Sequence, residues 1–230
     1  MFNYFRKREA LLISAVTVAL YASVYFFERG VASELNIPLD LITISITTIS
    51  DDFISFYLFL LPMLTVSSAL LIWAGKEPAK RALSFLGICL TYSCLIFLNG
   101  VKGKEDLFLP VFCSLMLLAL LIACMPIDPK KKVKTDDEVR RFGTMVMNCA
   151  LFLFLFALTF IILGRNSIYK SQFNTFSISG KEYAIVKIYD ENVFAWSIRN
   201  GKIVRELTYF RMENVNGVEL KNIAFKYDKE

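Results

Sequence analysis

The sequence predicts a membrane α-helical bundle followed by a small antiparallel β-domain, and three observations support that fold class. Hydrophobic residues make up 56% of the 230 residues, whereas soluble domains contain roughly 45–50%. These residues are concentrated in five blocks without charged side chains, each close to the roughly 20 residues that cross a bilayer as a helix. Beyond residue 165 the chain becomes polar and rich in turn residues. We therefore divide it into a transmembrane domain over 1–165 and a soluble β-domain over 166–230.

The five apolar blocks are the predicted transmembrane helices, at residues 10–27, 53–75, 82–101, 107–127 and 142–164. The first block follows three consecutive basic residues, as the apolar core of a cleaved signal peptide also does. It is longer than the usual core of about 7–15 residues and ends in bulky aromatic side chains, so we interpret it as an uncleaved anchor. If the first or third block does not cross, four spans remain and the β-domain changes sides.

The distribution of basic residues predicts the orientation of the chain. With five spans, segments 1–9, 76–81 and 128–141 lie on one side and contain 12 Lys and Arg residues, whereas 28–52 and 102–106 contain 3. Lys and Arg accumulate in cytoplasmic loops, so the N-terminus is predicted to be cytoplasmic. The predicted location is the inner (cytoplasmic) membrane, with a multi-pass topology and an external, periplasmic β-domain.

The loop before the second span contains a stretch that fits two structures. In Leu35–Phe53, isoleucines alternate with Ser and Thr as in a strand, but apolar residues also recur at helical spacing. A lone strand would leave backbone groups unpaired at the membrane surface, so we predict an interfacial or re-entrant helix over 37–50. This helix and its end would present a candidate interaction surface formed by Leu39, Ile42, Ile46, Ile49, Asp51 and Asp52.

The adjacent aspartates at the end of this stretch have two interpretations. Ser50 or Asp51 can cap the second span, which places negative charge at the positive end of its dipole. Neighbouring residues on a helix diverge by about 100°, so Asp51 and Asp52 do not form an acid–base pair without help from the fold. Capping is the preferred interpretation, and an ion or ligand site is the alternative.

The longest cytoplasmic loop carries a basic cluster. Its members are Lys130, Lys131, Lys132 and Lys134. Such a cluster is a candidate contact for anionic lipid head groups or for an acidic partner. The alternative is an ordinary cytoplasmic loop that only sets the topology.

The C-terminal region predicts five strands, near residues 174–179, 182–189, 193–198, 203–210 and 218–226. Two of the separators are Asn-Gly pairs, the strongest short hairpin signal. The pattern predicts a five-stranded meander or small open barrel. Its layout is similar to SH3-like and OB-like barrels, an analogy that carries no function.

Chemistry-bearing motifs are scarce in this sequence. It contains no histidine, so it lacks the usual general base near neutral pH. Its five cysteines fall in apolar blocks without a C-x-x-C pair and are expected to pack as small apolar residues. No phosphate-binding or nucleophile motif occurs, and the basic residues of the β-domain are scattered among acidic ones. We predict no catalytic, cofactor-binding or metal site, no nucleic-acid partner and no enzymatic activity.

The segment Arg29–Ser45, RGVASELNIPLDLITIS, and the spans around it are similar to a layout found in uncharacterised bacterial multi-pass inner-membrane proteins. In that layout an external loop with an Ile-Pro pair joins the first two spans, and a small C-terminal β-domain follows. The general form also resembles the membrane components of bacterial defence, immunity and surface-exclusion systems. The resemblance implies no particular activity or functional residue.

Two classes of function are compatible with this sequence. The first is a non-enzymatic sensor, adaptor or assembly subunit that contacts membrane lipids and a protein partner or further copies of itself. The alternative is an oligomeric channel or pore-forming effector whose path is lined by the hydroxyl side chains of the spans. The spans contain no charged residues, which argues against ion-coupled transport.

Overall fold

The computed structural model describes residues 9–75, 77–100, 107–123, 138–169 and 172–224. Helices form the N-terminal part of the chain and strands form the C-terminal part. The helices are α1 Glu9–Leu35, α2 Ile46–Ala74, α3 Pro78–Gly100, α4 Phe108–Ala123, α5 Glu138–Ser167 and the short α6 Met212–Val215, with a 3-10 turn at Leu39–Leu41. The strands are β1 Gln172–Ile178, β2 Lys181–Tyr189, β3 Asn192–Arg199, β4 Lys202–Arg211 and β5 Lys221–Ala224.

Three of the described helical segments are long and apolar enough to cross a membrane. They are Ile46–Ala74, Pro78–Asn99 and Phe142–Ser167. Helix α4 is also apolar, but it has 16 described residues. The predicted combination of membrane-type helices with a C-terminal β-domain is confirmed. The crossing of α1 and the total of five spans remain predictions.

Helices α1 and α5 are close neighbours that run in the same direction. Phe26 contacts Phe156 near the middle of the pair, and Glu34 contacts Arg165 further along both helices. A Cβ atom on Gly30 would clash with the carbonyl of Ile161. A reciprocal clash would occur between a Cβ on Gly164 and the carbonyl of Phe27. The two glycines therefore let the backbones approach closely, as small residues do where membrane helices cross.

The rest of the bundle is held by aromatic packing and a few hydrogen bonds. The ring of Phe56 on α2 contacts Phe160 on α5, with centroids 5.0 Å apart. Helix α3 joins α5 through a buried hydrogen bond of 2.7 Å between the hydroxyls of Tyr92 and Thr159. It joins α2 where the Ser84 hydroxyl donates to the carbonyl of Leu70. The core thus continues from the helices towards the sheet, where Phe173 and Trp196 belong to the same buried cluster.

The β-domain is an antiparallel sheet of five strands in the order β4-β3-β2-β1-β5. The predicted meander is correct for β1 to β4. The turns after β1 and β3 have positive φ at both central residues, Ser179-Gly180 and Asn200-Gly201, as type I′ hairpins require. The prediction of a continuous meander is wrong for the fifth strand, because β5 returns to pair with β1. The described sheet is therefore open between β4 and β5.

The predicted interfacial helix over 37–50 does not form. A single 3-10 turn occupies Leu39–Leu41, Ile42 and Ser45 have extended backbone, and α2 begins at Ile46. Leu41, Ile42 and Ile44 pack against the core, so this segment is stabilised by tertiary burial without strand partners or a helix of its own. Neither periodicity of the sequence is therefore realised over the whole segment.

The predicted cap of the second span at Ser50 or Asp51 is also wrong. Ser45 is the N-cap, and its hydroxyl accepts a hydrogen bond from the backbone N–H of Thr48 at 3.2 Å. This earlier cap lets the helix continue through the aspartates, where the Ser50 hydroxyl donates to the carbonyl of Ile46 in its own helix. Consequently Asp52 lies in the second turn of α2, with its side chain 4% exposed.

Candidate functional site

A cleft of about 810 Å³ lies between the β-domain and the helix ends on the same side of the bundle. One wall is formed by the first turns of α2, including Ser45, Thr48 and Ser55. Strand β2 and the turn after it supply Lys187 and Asp190 on the opposite wall. The cleft is therefore the place where the two domains and the surrounding solvent meet.

A buried ionic cluster forms the deep end of this cleft. The Lys187 ammonium donates hydrogen bonds to Glu28 of α1 and to Oδ1 of Asp52 on α2, the latter at 3.3 Å. The Tyr189 hydroxyl donates to the second carboxylate oxygen of Glu28. Glu28 is fully buried and Tyr189 is 1% exposed. We call these four residues, Glu28, Asp52, Lys187 and Tyr189, the junction cluster.

The local structure explains how each helical carboxylate reaches the junction cluster. Glu28 continues the buried face of α1, because Val24, Val31 and Leu35 lie on the same face at helical spacing. Asp52 precedes the buried Phe56 by four residues on α2, so both side chains face the core. Packing of the neighbouring apolar residues on each helix therefore places its carboxyl group in the junction.

Strand β2 supplies the other two members of the cluster. Lys187 and Tyr189 are two residues apart, so they point to the same face of the sheet. The pairing of β2 with β3 contains a bulge between Ile185 and Lys187. A bulge changes which face the following residues occupy and bends the strand. Here it places both polar side chains on the face that packs against the helices.

Burial and the neighbouring charges together determine the protonation of Lys187 and Tyr189. Burial by itself lowers the pKa of Lys187, but the charges of Glu28 and Asp52 and their hydrogen bonds outweigh it, so the pKa is raised and the amine stays protonated. Burial and then the negative charge of Glu28 raise the pKa of Tyr189, so the phenol remains a neutral donor. Both β2 side chains therefore act as hydrogen-bond donors to the helices.

The four carboxyl oxygens of the cluster receive three hydrogen bonds from the β-domain. Two carboxyl groups face one ammonium, and Oδ2 of Asp52 is buried without a hydrogen-bond partner in the described part of the chain. A buried, unpaired acceptor costs about 1–3 kcal/mol, and more when it is charged. Asp52 also contacts the carboxyl group of Glu28.

A second polar contact lies nearer to solvent at the end of the α1–α5 pair. Glu34 of α1 accepts from Arg165 of α5, with an Nη2–Oε2 distance of 3.0 Å. It also accepts from the hydroxyl of Tyr169, directly after α5. The guanidinium of Arg205 from β4 lies 5.1 Å from the centre of the Tyr169 ring. We call Glu34, Arg165 and Tyr169 the rim bridge.

The residues of the candidate surface predicted from the sequence do not form one surface in the structure. Leu39 and Ile46 are exposed, whereas Ile42 and Ile49 pack against the core. They do not form one apolar stripe, because the helix that would align them is absent. Of the two aspartates, Asp51 lines the open part of the cleft and Asp52 belongs to the junction cluster. The cytoplasmic candidates Lys130, Lys131, Lys132 and Lys134 lie outside the described residues.

Sequence reasoning missed Glu28, Lys187 and Tyr189. The first span was drawn to end at Phe27, so the glutamate directly after it was excluded from the packed face of the helix. The available signal was that Glu28 lies on the same stripe as Val24, Val31 and Leu35. On β2 the signal was a lysine inside an otherwise apolar run, AIVKIY. A charged side chain inside an apolar pattern indicates a buried partner.

No family model, characterised protein or solved structure matches this chain. Within the described ranges, no group of three or more His, Cys, Asp or Glu residues could hold a metal ion. The chemistry that the junction offers is therefore ionic pairing and hydrogen bonding between buried carboxylates and donors. A function has to be argued from that geometry.

Proposed function

We propose that the protein is a non-enzymatic inner-membrane sensor or adaptor whose β-domain receives a signal and passes it to the helices through the junction cluster. The observation that carries the proposal is the position of Lys187. This one side chain of the β-domain pairs with Glu28 on α1 and with Asp52 on α2. Any movement of β2 therefore changes the electrostatic balance of both helices together.

The energetics of a buried ion pair support a switching role. Separating Lys187 from the helices would leave the buried Glu28 carboxylate without its countercharge, and such a state is strongly unfavourable. Opening of the junction is therefore costly, and only a ligand or partner with a comparably large preference for the separated arrangement can populate it. A ligand or partner that stabilises one arrangement would shift the population of the other.

The proposed topology places the β-domain outside the cytoplasm, where it can meet an envelope component or an incoming agent. The 12 to 3 distribution of basic residues supports this orientation. The parallel course of α1 and α5 supports an odd number of crossings, because both helices then end on the same side as the sheet. Anionic lipids and a protein partner or a second copy of the chain are the proposed contacts on the cytoplasmic side.

The channel alternative has less support from the helices. The hydroxyl of Thr65 donates to the carbonyl of Leu61 at 2.9 Å, and that of Ser93 donates to Cys89 at 2.8 Å. These groups are satisfied within their own helices, as in ordinary helix packing. A reproducible unitary conductance of the purified protein in planar bilayers would favour the channel over the sensor.

Topology reporters test the orientation. Fusion of alkaline phosphatase to the C-terminus is expected to be active, and fusion of a fluorescent protein that matures only in the cytoplasm is expected to be dark. The opposite result would move the β-domain to the cytoplasm and remove its external role.

Hydrogen exchange of the full chain in nanodiscs tests the transmission step. In Lys187→Met we expect faster amide exchange in the β-domain and also in segments 24–35 and 46–55 of the helices. Lys181→Met removes an exposed lysine from the same strand and is the matched control, with exchange as in the wild type. If Lys187→Met changes exchange only within β2, the junction does not couple the domains and the proposal fails.

A further inference from the structure

We propose that the junction cluster binds one proton, held by Oδ2 of Asp52 and donated to Glu28, and that loss of this proton loosens the contact between the β-domain and the helices. This inference rests on the proposed function, since it names the signal that the sensor reads: the pH on the side of the membrane where the β-domain lies. Three observations carry it: the number of hydrogen-bond donors, the contact between the two carboxyl groups, and the charge of a buried site.

The first observation is the number of donors that reach the two carboxyl groups. Lys187 donates to one oxygen of Glu28, and Tyr189 donates to the other. The ammonium of Lys187 also donates to Oδ1 of Asp52. Oδ2 of Asp52 is buried, and no donor among the described residues reaches it. A proton on this oxygen turns it from an acceptor without a donor into a donor.

The second observation is that an acceptor for this proton is already in place. The carboxyl group of Asp52 contacts that of Glu28 within hydrogen-bonding range, and we call the two groups the carboxyl pair. Two ionised carboxylates in contact repel each other, whereas a carboxylic acid donates a hydrogen bond to a carboxylate. Asp52 is the member that carries the proton, because both oxygens of Glu28 already accept from β2.

The third observation is the charge of the buried site. Glu28 is fully buried, and Asp52 is 3% exposed. With the proton bound, one carboxylate faces one ammonium, and the site is neutral. Without the proton, two carboxylates share that ammonium, and the uncompensated negative charge lies away from water, where it is costly. Burial therefore favours the protonated arrangement.

The other ionisable groups around the carboxyl pair do not supply a second countercharge. On β2, Lys187 is the cation already counted, and the phenol of Tyr189 is a neutral donor. The remaining ionisable residues that line the cleft are Asp51 on α2 and Asp190 after β2, both exposed. Negative charge on these two residues opposes ionisation of the pair. The arginine of the rim bridge is engaged with its own glutamate.

Release of the proton changes the balance on both helices. The O–H bond of Asp52 breaks, its electron pair stays on Oδ2, and the proton passes to water in the cleft that Asp52 lines. A brief local opening is enough for this exchange. The carboxyl pair then carries two negative charges for one ammonium, so α1 and α2 repel each other where Lys187 ties them to β2. A rise in pH thus weakens the junction.

Infrared spectroscopy of the full chain tests for the proton directly, because a protonated carboxyl group has a C=O band separate from the carboxylate bands. The measurement is made in a maltoside detergent, which contains no carbonyl group. We expect a band from a protonated carboxyl group at neutral pH that disappears reversibly as the pH is raised. Asp52→Asn should lack it, whereas Asp51→Asn, which removes the neighbouring exposed carboxylate, should retain it. Absence of the band in the wild type at neutral pH would overturn the inference.

The pH dependence of unfolding gives an independent measurement. An ordinary aspartate of the unfolded chain is ionised above about pH 4, so unfolding releases the bound proton, and the unfolding equilibrium constant should rise by up to about tenfold per pH unit. Asp52→Asn replaces the O–H donor by an N–H donor of similar shape and should fold. Its unfolding constant should lack this rise between about pH 6 and about pH 9, whereas Asp51→Asn should keep it. A wild-type pH dependence in Asp52→Asn would contradict the proton site.

The proton site and the proposed function fail separately. A missing band overturns the proton site, but it leaves intact the coupling of the two domains. That coupling is measured by the hydrogen-exchange comparison of Lys187→Met and Lys181→Met at a single pH. If that comparison fails, the proposed function is overturned, and the infrared band still decides whether the proton is bound.

Discussion

The junction cluster and the rim bridge are built from the same kinds of group but differ in their surroundings. Each contains a glutamate of α1, one basic side chain and one tyrosine hydroxyl, and both glutamates accept from both donors. In the junction cluster the glutamate is 0% exposed, whereas in the rim bridge the glutamate and arginine side chains are 20% and 41% exposed. The junction cluster also includes the second carboxylate of Asp52.

This difference in exposure gives the two contacts different energetic roles. Water can solvate each member of the rim bridge if the contact opens, so its net contribution is small. The members of the junction cluster have no such alternative, because opening leaves buried charges unpaired. Similar side chains therefore form an adjustable contact at the rim and an all-or-none contact at the junction.

The largest effect is expected for Lys187→Met, which removes the cation of the junction cluster. It leaves the buried Glu28 carboxylate without its cation, so the free energy of unfolding should fall by about 3–5 kcal/mol. Denaturant unfolding in mixed micelles, followed by tryptophan fluorescence, measures it. Lys181→Met should stay within about 0.5 kcal/mol of the wild type. Equal losses of stability in the two variants would show that Lys187 contributes no more than an exposed lysine.

A smaller effect is expected for Gly30→Ala, which disturbs both contacts together. Gly30 lies between Glu28 and Glu34 on α1, and its added methyl would meet the carbonyl of Ile161. Overpacking of this kind costs about 1–3 kcal/mol. Gly143→Ala is the control on α5, because an added Cβ there meets no atom within 4 Å. Cross-linking of cysteines introduced into α1 and α5 should weaken in Gly30→Ala alone.

Tyr189→Phe and Tyr169→Phe compare the junction cluster with the rim bridge, because each variant loses a single hydroxyl. Tyr189→Phe leaves one oxygen of the buried Glu28 without its donor, which should cost about 1–3 kcal/mol. Tyr169→Phe removes the equivalent donor from Glu34, where water can replace it, so its cost should be distinctly smaller. Thermal unfolding of the two variants side by side gives the difference. Equal costs would show that burial does not distinguish the sites.

The smallest effect is expected for Glu34→Gln, which removes the charge of the rim bridge. Its cost should be about 0–1 kcal/mol, as for exposed ion pairs. Stability differences measured at low and high sodium chloride concentration check the assignment. Salt should reduce the Glu34→Gln effect and leave that of Lys187→Met nearly unchanged, because buried pairs are screened much less.

The fold was largely predictable because it follows from composition and spacing over many residues. Apolar blocks long enough to cross a bilayer and the Asn-Gly turn after β3 are strong local signals. The segment after Pro38 was not predictable in the same way. Its two periodicities are equally good, and the outcome was decided by the Ser45 cap and by burial of Ile42 and Ile44 against distant residues.

The candidate site was harder to predict because its members come from three distant segments. Asp52 was singled out, but as part of a capping pair, since its partner lies 135 residues away. Glu28 lies one residue beyond the predicted first span and is assigned to the external loop. Only the bulge in β2 places Lys187 against both of them, and no sequence rule predicts a bulge inside the run AIVKIY.

The length of chain between Glu28 and Lys187 also matters for biogenesis. The two residues are 159 positions apart, so during synthesis α1 and α2 reach the membrane long before their counter-charge exists. Until β2 is made, Glu28 and Asp52 lack the ammonium group that contacts both of them in the folded protein. Completion of the β-domain then brings the ammonium of Lys187 against both of them. A chain interrupted before residue 187 therefore lacks the lysine that ties α1 and α2 to the β-domain.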